Sequence, residues 1–168
     1  MKLRTLILFF PVLMYIEVIK GAPSTEKFDR QAFYSILRSG DTAAVDHEIA
    51  LLSGGTIIER EAYIGTLLMK KANLVSLPKH KLSLFKAGRV KLEKALQSDS
   101  SNVEYRFLRL IIEEHAPKVV KYHSQLAEDA QYIRQYFGRL SPAVQHVVID
   151  YSKTSRALKN EKFKTAEE

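Results

Sequence analysis

Cysteine and tryptophan are absent from the 168 residues, and there are only seven glycines and five prolines. Without cysteine there can be no disulfide, thiol nucleophile, thiolate metal site or acylated lipoprotein cysteine. So few glycines and prolines leave little material for turn-dense β architectures and favour long regular elements. No segment alternates apolar and polar residues with period two over a useful length, so no sheet is expected. The motifs of common catalysts are also missing. There is no P-loop, no Gly-x-Gly-x-x-Gly and no Gly-x-Ser-x-Gly, and neither His-Glu-x-x-His nor the Glu-x-x-His of di-iron bundles occurs. No catalytic set, metal site or cofactor is expected on these grounds.

The one sustained apolar run is short. Leu6 to Ile16 follows Lys2 and Arg4 and is closed by Glu17 and Lys20, with Ala22 and Ser24 as small residues beyond. A basic start, an apolar middle and small residues at the end are the order of a secretory signal peptide. The run is too short to span a bilayer easily. Cleavage after Ser24 is expected, giving a signal peptide over residues 1–24; an uncleaved N-terminal anchor is the competing reading. The mature part would lose three cations and one carboxylate, so the net charge falls from +7 to +5. A mildly basic, exported, cysteine-free chain points to the periplasm or the extracellular space, with no nucleic-acid partner and no membrane span after cleavage.

What remains reads as helix after helix. Phe28, Ala32, Phe33, Ile36 and Leu37 have helical spacing before Gly40. Asp41 is a candidate N-cap for a helix carrying Ala44, Val45, Ile49 and Leu52. Thr56 and Glu59 have the spacing of a capping box ahead of a face made by Ile58, Ala62, Gly65 and Met69. Pro78 suits the first turn of the next helix, where Leu84, Phe85, Gly88, Leu92 and Ala95 are in register. Ser101 and Glu104 form a second capping-box pattern. Val119, Tyr122, Leu126, Ala130, Ile133 and Phe137 mark a long amphipathic helix, and Ser141-Pro142 opens the last, with Val144, Val147, Tyr151 and Leu158 as its stripe. The expectation is an all-α domain over residues 25–158, with about seven helices arranged as antiparallel αα-hairpins and a polar, frayed tail over residues 159–168.

The run Gly88, Leu92, Ala95, then Ser98-Asp99-Ser100-Ser101-Asn102, then a new helix resembles the second helix and joint of a tetratricopeptide (TPR) repeat. Small residues flank a large one there so that successive helices can nest. The resemblance implies a TPR-like stack of hairpins or an irregular bundle, and a binding scaffold as its role. Ser100 departs from the family's usual proline, the separation of Gly65 from Gly88 is longer than the repeat allows, and no second copy follows. As a whole the chain also resembles small exported helical bacterial proteins, a likeness that implies no mechanism.

Arg106 and Arg109 interrupt an apolar run, with Glu113 four residues beyond Arg109. On a helix apolar around most of its circumference they must reach solvent, a carboxylate or a ligand anion. Two readings follow: ion pairs that hold the bundle, or a groove in which guanidiniums grip a carboxylate. Tyr132 and Tyr136, one turn apart, are candidates for an interface or for the edge of the core. Glu113-Glu114 and Glu128-Asp129 read as surface charge, because adjacent residues on a helix do not share a site. His47, His80, His115, His123 and His146 form no pair at helical spacing. The favoured function is an exported, soluble helical binding or scaffold protein that recognises a peptide, protein or other ligand through a groove or helix face. The alternative is a small periplasmic enzyme whose pocket gathers Arg106 or Arg109 with a histidine.

Overall fold

The computed structural model describes residues 28–159 and residue 163; the expected signal peptide and most of the expected tail lie outside them. Seven α-helices follow in order: α1 (Arg30–Arg38), α2 (Thr42–Gly54), α3 (Arg60–Leu74), α4 (Pro78–Ser98), α5 (Val103–His115), α6 (Leu126–Tyr136) and α7 (Pro142–Ser152). No strand occurs among the described residues, so the chain is all-α as its periodicities require.

Local chemistry sets several of the helix starts. Asp29 and Asp41 cap α1 and α2, each accepting two backbone N–H groups of the first turn. Pro78 and Pro142 open α4 and α7, where a missing N–H costs nothing. Packing then organises the elements around α3, which contacts α2, α4 and α5, while α7 returns against α1. The closest approach is between α3 and α4. Gly65 of α3 faces Gly88 and Leu92 of α4, and Gly88 faces Met69, so the two helices run antiparallel with their backbones almost touching. The core runs continuously through Phe33, Tyr63, Leu67, Leu92, Phe107, Ile133 and Val144, all fully buried.

The structure departs from the sequence expectations at four places. Neither capping box forms. Glu59 caps α3 without a side-chain bond and faces Arg30 at 3.6 Å, leaving Ile58 before the helix and 93% exposed. At α5 the Ser101 hydroxyl is taken by Asp99, and Asn102 caps the helix through the Tyr105 N–H. Glu104 turns inward, accepting from Arg30 Nε at 3.1 Å, Tyr34 OH at 3.2 Å and Tyr63 OH at 2.9 Å, which ties α1, α3 and α5 together.

The long helix expected from Val119 to Phe137 begins only at Leu126. Residues 118–120 form one 3-10 turn, and Lys121 at φ 49° is left-handed, which stops a right-handed helix. The strap that results is held by α5: Glu113 takes the His123 ring on its backbone carbonyl at 2.7 Å and the Gln125 N–H on its carboxylate at 3.2 Å. The last helix also ends early, at Ser152. The N–H groups of Arg156 and Ala157 bond the Glu114 carboxylate, both at 2.8 Å, instead of continuing the helix, and the turn buries Leu158 completely. Glu113, Glu114 and Asp129 are therefore buried, not surface charge as their sequence pattern suggested. Phe163 packs its ring 4.7 Å from that of Phe137.

Candidate functional site

Arg106 and Arg109 rise from one face of α5 and converge on a single residue of α6. Asp129, fully buried, receives Arg109 in a bidentate pair, Nε to Oδ2 at 2.7 Å and Nη2 to Oδ1 at 2.8 Å. Arg109 Nη1 continues to Glu93 on α4 at 3.2 Å, and Glu93 accepts Tyr122 OH from the strap at 2.5 Å. Burial lowers the Arg109 pKa, but Asp129 and Glu93 outweigh that and raise it, so the guanidinium is firmly charged. Arg106 reaches Glu128 at 2.9 Å, Asp129 at 3.0 Å and the Ser100 carbonyl at 3.0 Å. Glu113 takes no part in this pairing; burial raises its carboxyl pKa, and one of its oxygens has no partner. A shallow depression beside Arg109 is lined by Arg89, Glu93, Tyr122 and Gln125, with no histidine among its walls.

Tyr132 and Tyr136 pack with tilted rings, centroids 4.4 Å apart, each carrying a guanidinium 4.2 Å from its ring centroid. The order is Arg106, Tyr132, Tyr136, Arg139, a column along the edge of α6. Four of the five residues singled out by sequence, Arg106, Arg109, Tyr132 and Tyr136, thus belong to connected ion-pair and ring contacts that join α4, α5 and α6. Glu113 anchors the strap beside them.

The best-formed concavity lies elsewhere. A cleft of about 470 Å³ opens between α1, α3, α4, α5 and α7. Its floor is apolar: Leu37, Phe85, Ile111, Ile112 and Val147. Arg38, Lys70, Asn73, His115 and Asp150 bring polar groups to its wall. Asp150 is paired with Lys153 at 2.8 Å, and Tyr151 donates its hydroxyl to Glu114 at 2.6 Å. His115 Nδ1 meets the Ile111 carbonyl at 2.8 Å, which leaves Nε2 for another partner. Burial lowers the Lys70 pKa, and no carboxylate compensates it. None of these residues forms a motif in sequence. Lys70 belongs to a Lys-Lys pair that reads as a solvated face, and the convergence needs five helices.

A broader groove of about 1000 Å³ runs along α4, with Ile58, Ala87 and Val90 between Lys86, Lys91 and Lys94 on one side and Glu59 and Glu61 on the other. Lys91 and Glu61 close part of it with an ion pair at 2.6 Å. Among the described residues no three metal-ligating side chains cluster, and no helix is long and apolar enough to cross a membrane. Compared with known protein families, curated proteins and solved structures, the chain finds no match.

Proposed function

We propose that the chain is an exported helical binding protein, not an enzyme, and that it holds a small ligand in the cleft between α1, α5 and α7. One observation carries this reading: the cleft's volume, about 470 Å³, and its apolar floor with a few polar groups at the wall are those of small-molecule sites. The hydroxyl of Tyr151 is committed to Glu114, so it is not poised as a nucleophile beside His115. Arg106 and Arg109 serve the bundle in this reading, because their donors meet Asp129, Glu93 and Glu128 and face no histidine. Export rests on the order of Lys2, Arg4, Leu6 to Ile16, Ala22 and Ser24. A TPR-like use of the hairpins is supported only by the small residues Gly65 and Gly88 at the α3–α4 contact.

Two experiments test the reading. The neutral apolar fluorophore N-phenyl-1-naphthylamine should bind the full chain at one site, and Val147→Trp, which fills the cleft, should abolish that binding while the fold persists by circular dichroism. Undiminished binding in the variant places the apolar site elsewhere. Mass determination of the chain recovered from outside the cytoplasm should give an N-terminus near Thr25; recovery of the full-length chain would favour the uncleaved anchor.

A further inference from the structure

The cleft carries more positive charge than the protein neutralises. Arg38 from the end of α1 and Lys70 from α3 both line it; Lys70 is half-buried with no carboxylate acting on it, while Arg38 is exposed and is met by Asp150 at longer range only. Lys70 differs from the other partly buried cations Arg30, Lys71, Arg106 and Arg109, each of which meets a carboxylate. The one carboxylate among the cleft's lining residues, Asp150, bonds Lys153 and also senses the charge of Arg38, so Arg38 is answered in part and Lys70 is not. Lys70 is half-buried, so its ammonium gives up hydration without gaining an anion. Asn73 and the Nε2 of His115 add further hydrogen-bonding capacity at the same wall. Behind these groups the floor of Leu37, Phe85, Ile112 and Val147 offers nothing to a polar body.

We infer that the cleft binds an amphipathic carboxylic acid, its apolar body on the Leu37–Phe85–Ile112 floor and its carboxylate between Lys70 and Arg38. This rests on the cleft being the ligand site and adds the chemical class. A planar carboxylate matches the guanidinium fork of Arg38 and accepts from the Lys70 ammonium at the same time. An amine of the same shape would place a third cation beside these two, and an alcohol would leave both unpaired.

The test titrates the full chain calorimetrically with sodium decanoate, decanol and decylamine below their aggregation concentrations, and repeats each as a competition against N-phenyl-1-naphthylamine. Decanoate should bind at least about tenfold more tightly than decanol, and decylamine should be weaker still, as expected for a charge-assisted hydrogen bond lost. Lys70→Met should cut decanoate affinity by about tenfold or more and leave the neutral fluorophore's affinity unchanged. Lys94→Met, in the separate α4 groove, should change neither. Equal binding of decanoate and decanol, or an equal loss in Lys94→Met, overturns the carboxylate assignment while the cleft stands as an apolar site. If neither the fluorophore nor decanoate binds, the cleft reading itself fails and takes this inference with it.

Discussion

Gly65 and Gly88 meet with no side chain between them. A Cβ on Gly65 would stand 2.7 Å from the Gly88 carbonyl oxygen and 2.8 Å from the Leu92 nitrogen, and one on Gly88 would press on the Gly65 carbonyl and come within 2.9 Å of the Met69 nitrogen. Beside Met69 Cγ, the tightest obstacles are backbone atoms, which no rotamer change can move. This crossing fixes how α3 lies on α4, and α3 and α4 in turn supply Lys70, Asn73 and Phe85 to the cleft.

Gly65→Ala and Gly88→Ala should each destabilise the fold by about 1–3 kcal/mol, since overpacking against backbone outweighs the gain in helix propensity. Gly54, at the end of α2 with nothing within 4 Å of a built Cβ, is the control: Gly54→Ala should be neutral or slightly stabilising. Urea unfolding reads all three. The double variant Gly65→Ala/Gly88→Ala should lose less than the sum of its parts, because helices already pushed apart by one methyl accommodate the second. A loss no greater than in Gly54→Ala would mean that the two helices do not touch at these residues.

Asp129 should be the most sensitive polar residue in the bundle. It is fully buried and receives two guanidiniums, so Asp129→Ala strips Arg109 of its bidentate partner, leaves it only the longer contact to Glu93, and should cost about 3–5 kcal/mol. Arg109→Lys should recover only part of the stability of the native pair, since an ammonium cannot reproduce the two parallel bonds to one carboxylate. Denaturant midpoints of the wild type, Asp129→Ala and Arg109→Lys check this. A change in fluorophore binding at the cleft without a change in midpoint would instead give these residues a role in ligand recognition.

Much of the architecture can be read from short-range pattern. Asp41, Pro78 and Pro142 mark helix starts by their own chemistry, and the small residues on α3 and α4 announce a close crossing. The reading failed where distant partners override local spacing. Val119, Tyr122 and Leu126 have helical periodicity, yet Glu113 captures His123 and Gln125 across ten or more residues, and Lys121 adopts a left-handed turn between them. Glu114 looked like surface charge because its donors, Tyr151, Arg156 and Ala157, lie 37 to 43 residues away. The cleft was invisible for the same reason. Arg38, Lys70 and His115 share no spacing, and only the packing of α1, α3 and α5 brings them to one wall. Arg106 and Arg109 could be found from sequence because they contradict their apolar surroundings, but the contradiction alone does not say whether the answering anion is Asp129 or a ligand.

Glu113 and Glu114 are buried neighbours whose carboxyl pKa values move in opposite directions, and acid titration should separate them. Burial raises the Glu113 pKa above its usual 4.5, and the single bond from the Gln125 N–H does not offset this. The folded chain therefore binds a proton there more readily than the unfolded chain. Its contribution is fully present below pH 4.5 and is lost as pH rises toward the folded value. Burial also pushes Glu114 upward, but bonds from Tyr151, Ala157, Ser155 and Arg156 outweigh it and lower its pKa. That contribution is present above 4.5 and is lost as pH falls through the folded value. Glu113→Gln, which keeps an acceptor for Gln125 and mimics the neutral acid, should match the wild type in acid and become relatively more stable as pH rises. Glu114→Gln should be least stable relative to the wild type near neutrality, with the gap closing on acidification. Urea unfolding from about pH 3.5 to about pH 8 measures both trends. Parallel curves for the two variants would mean that the carboxyls share one environment, contrary to the bonds that hold the strap to one and the C-terminal turn to the other.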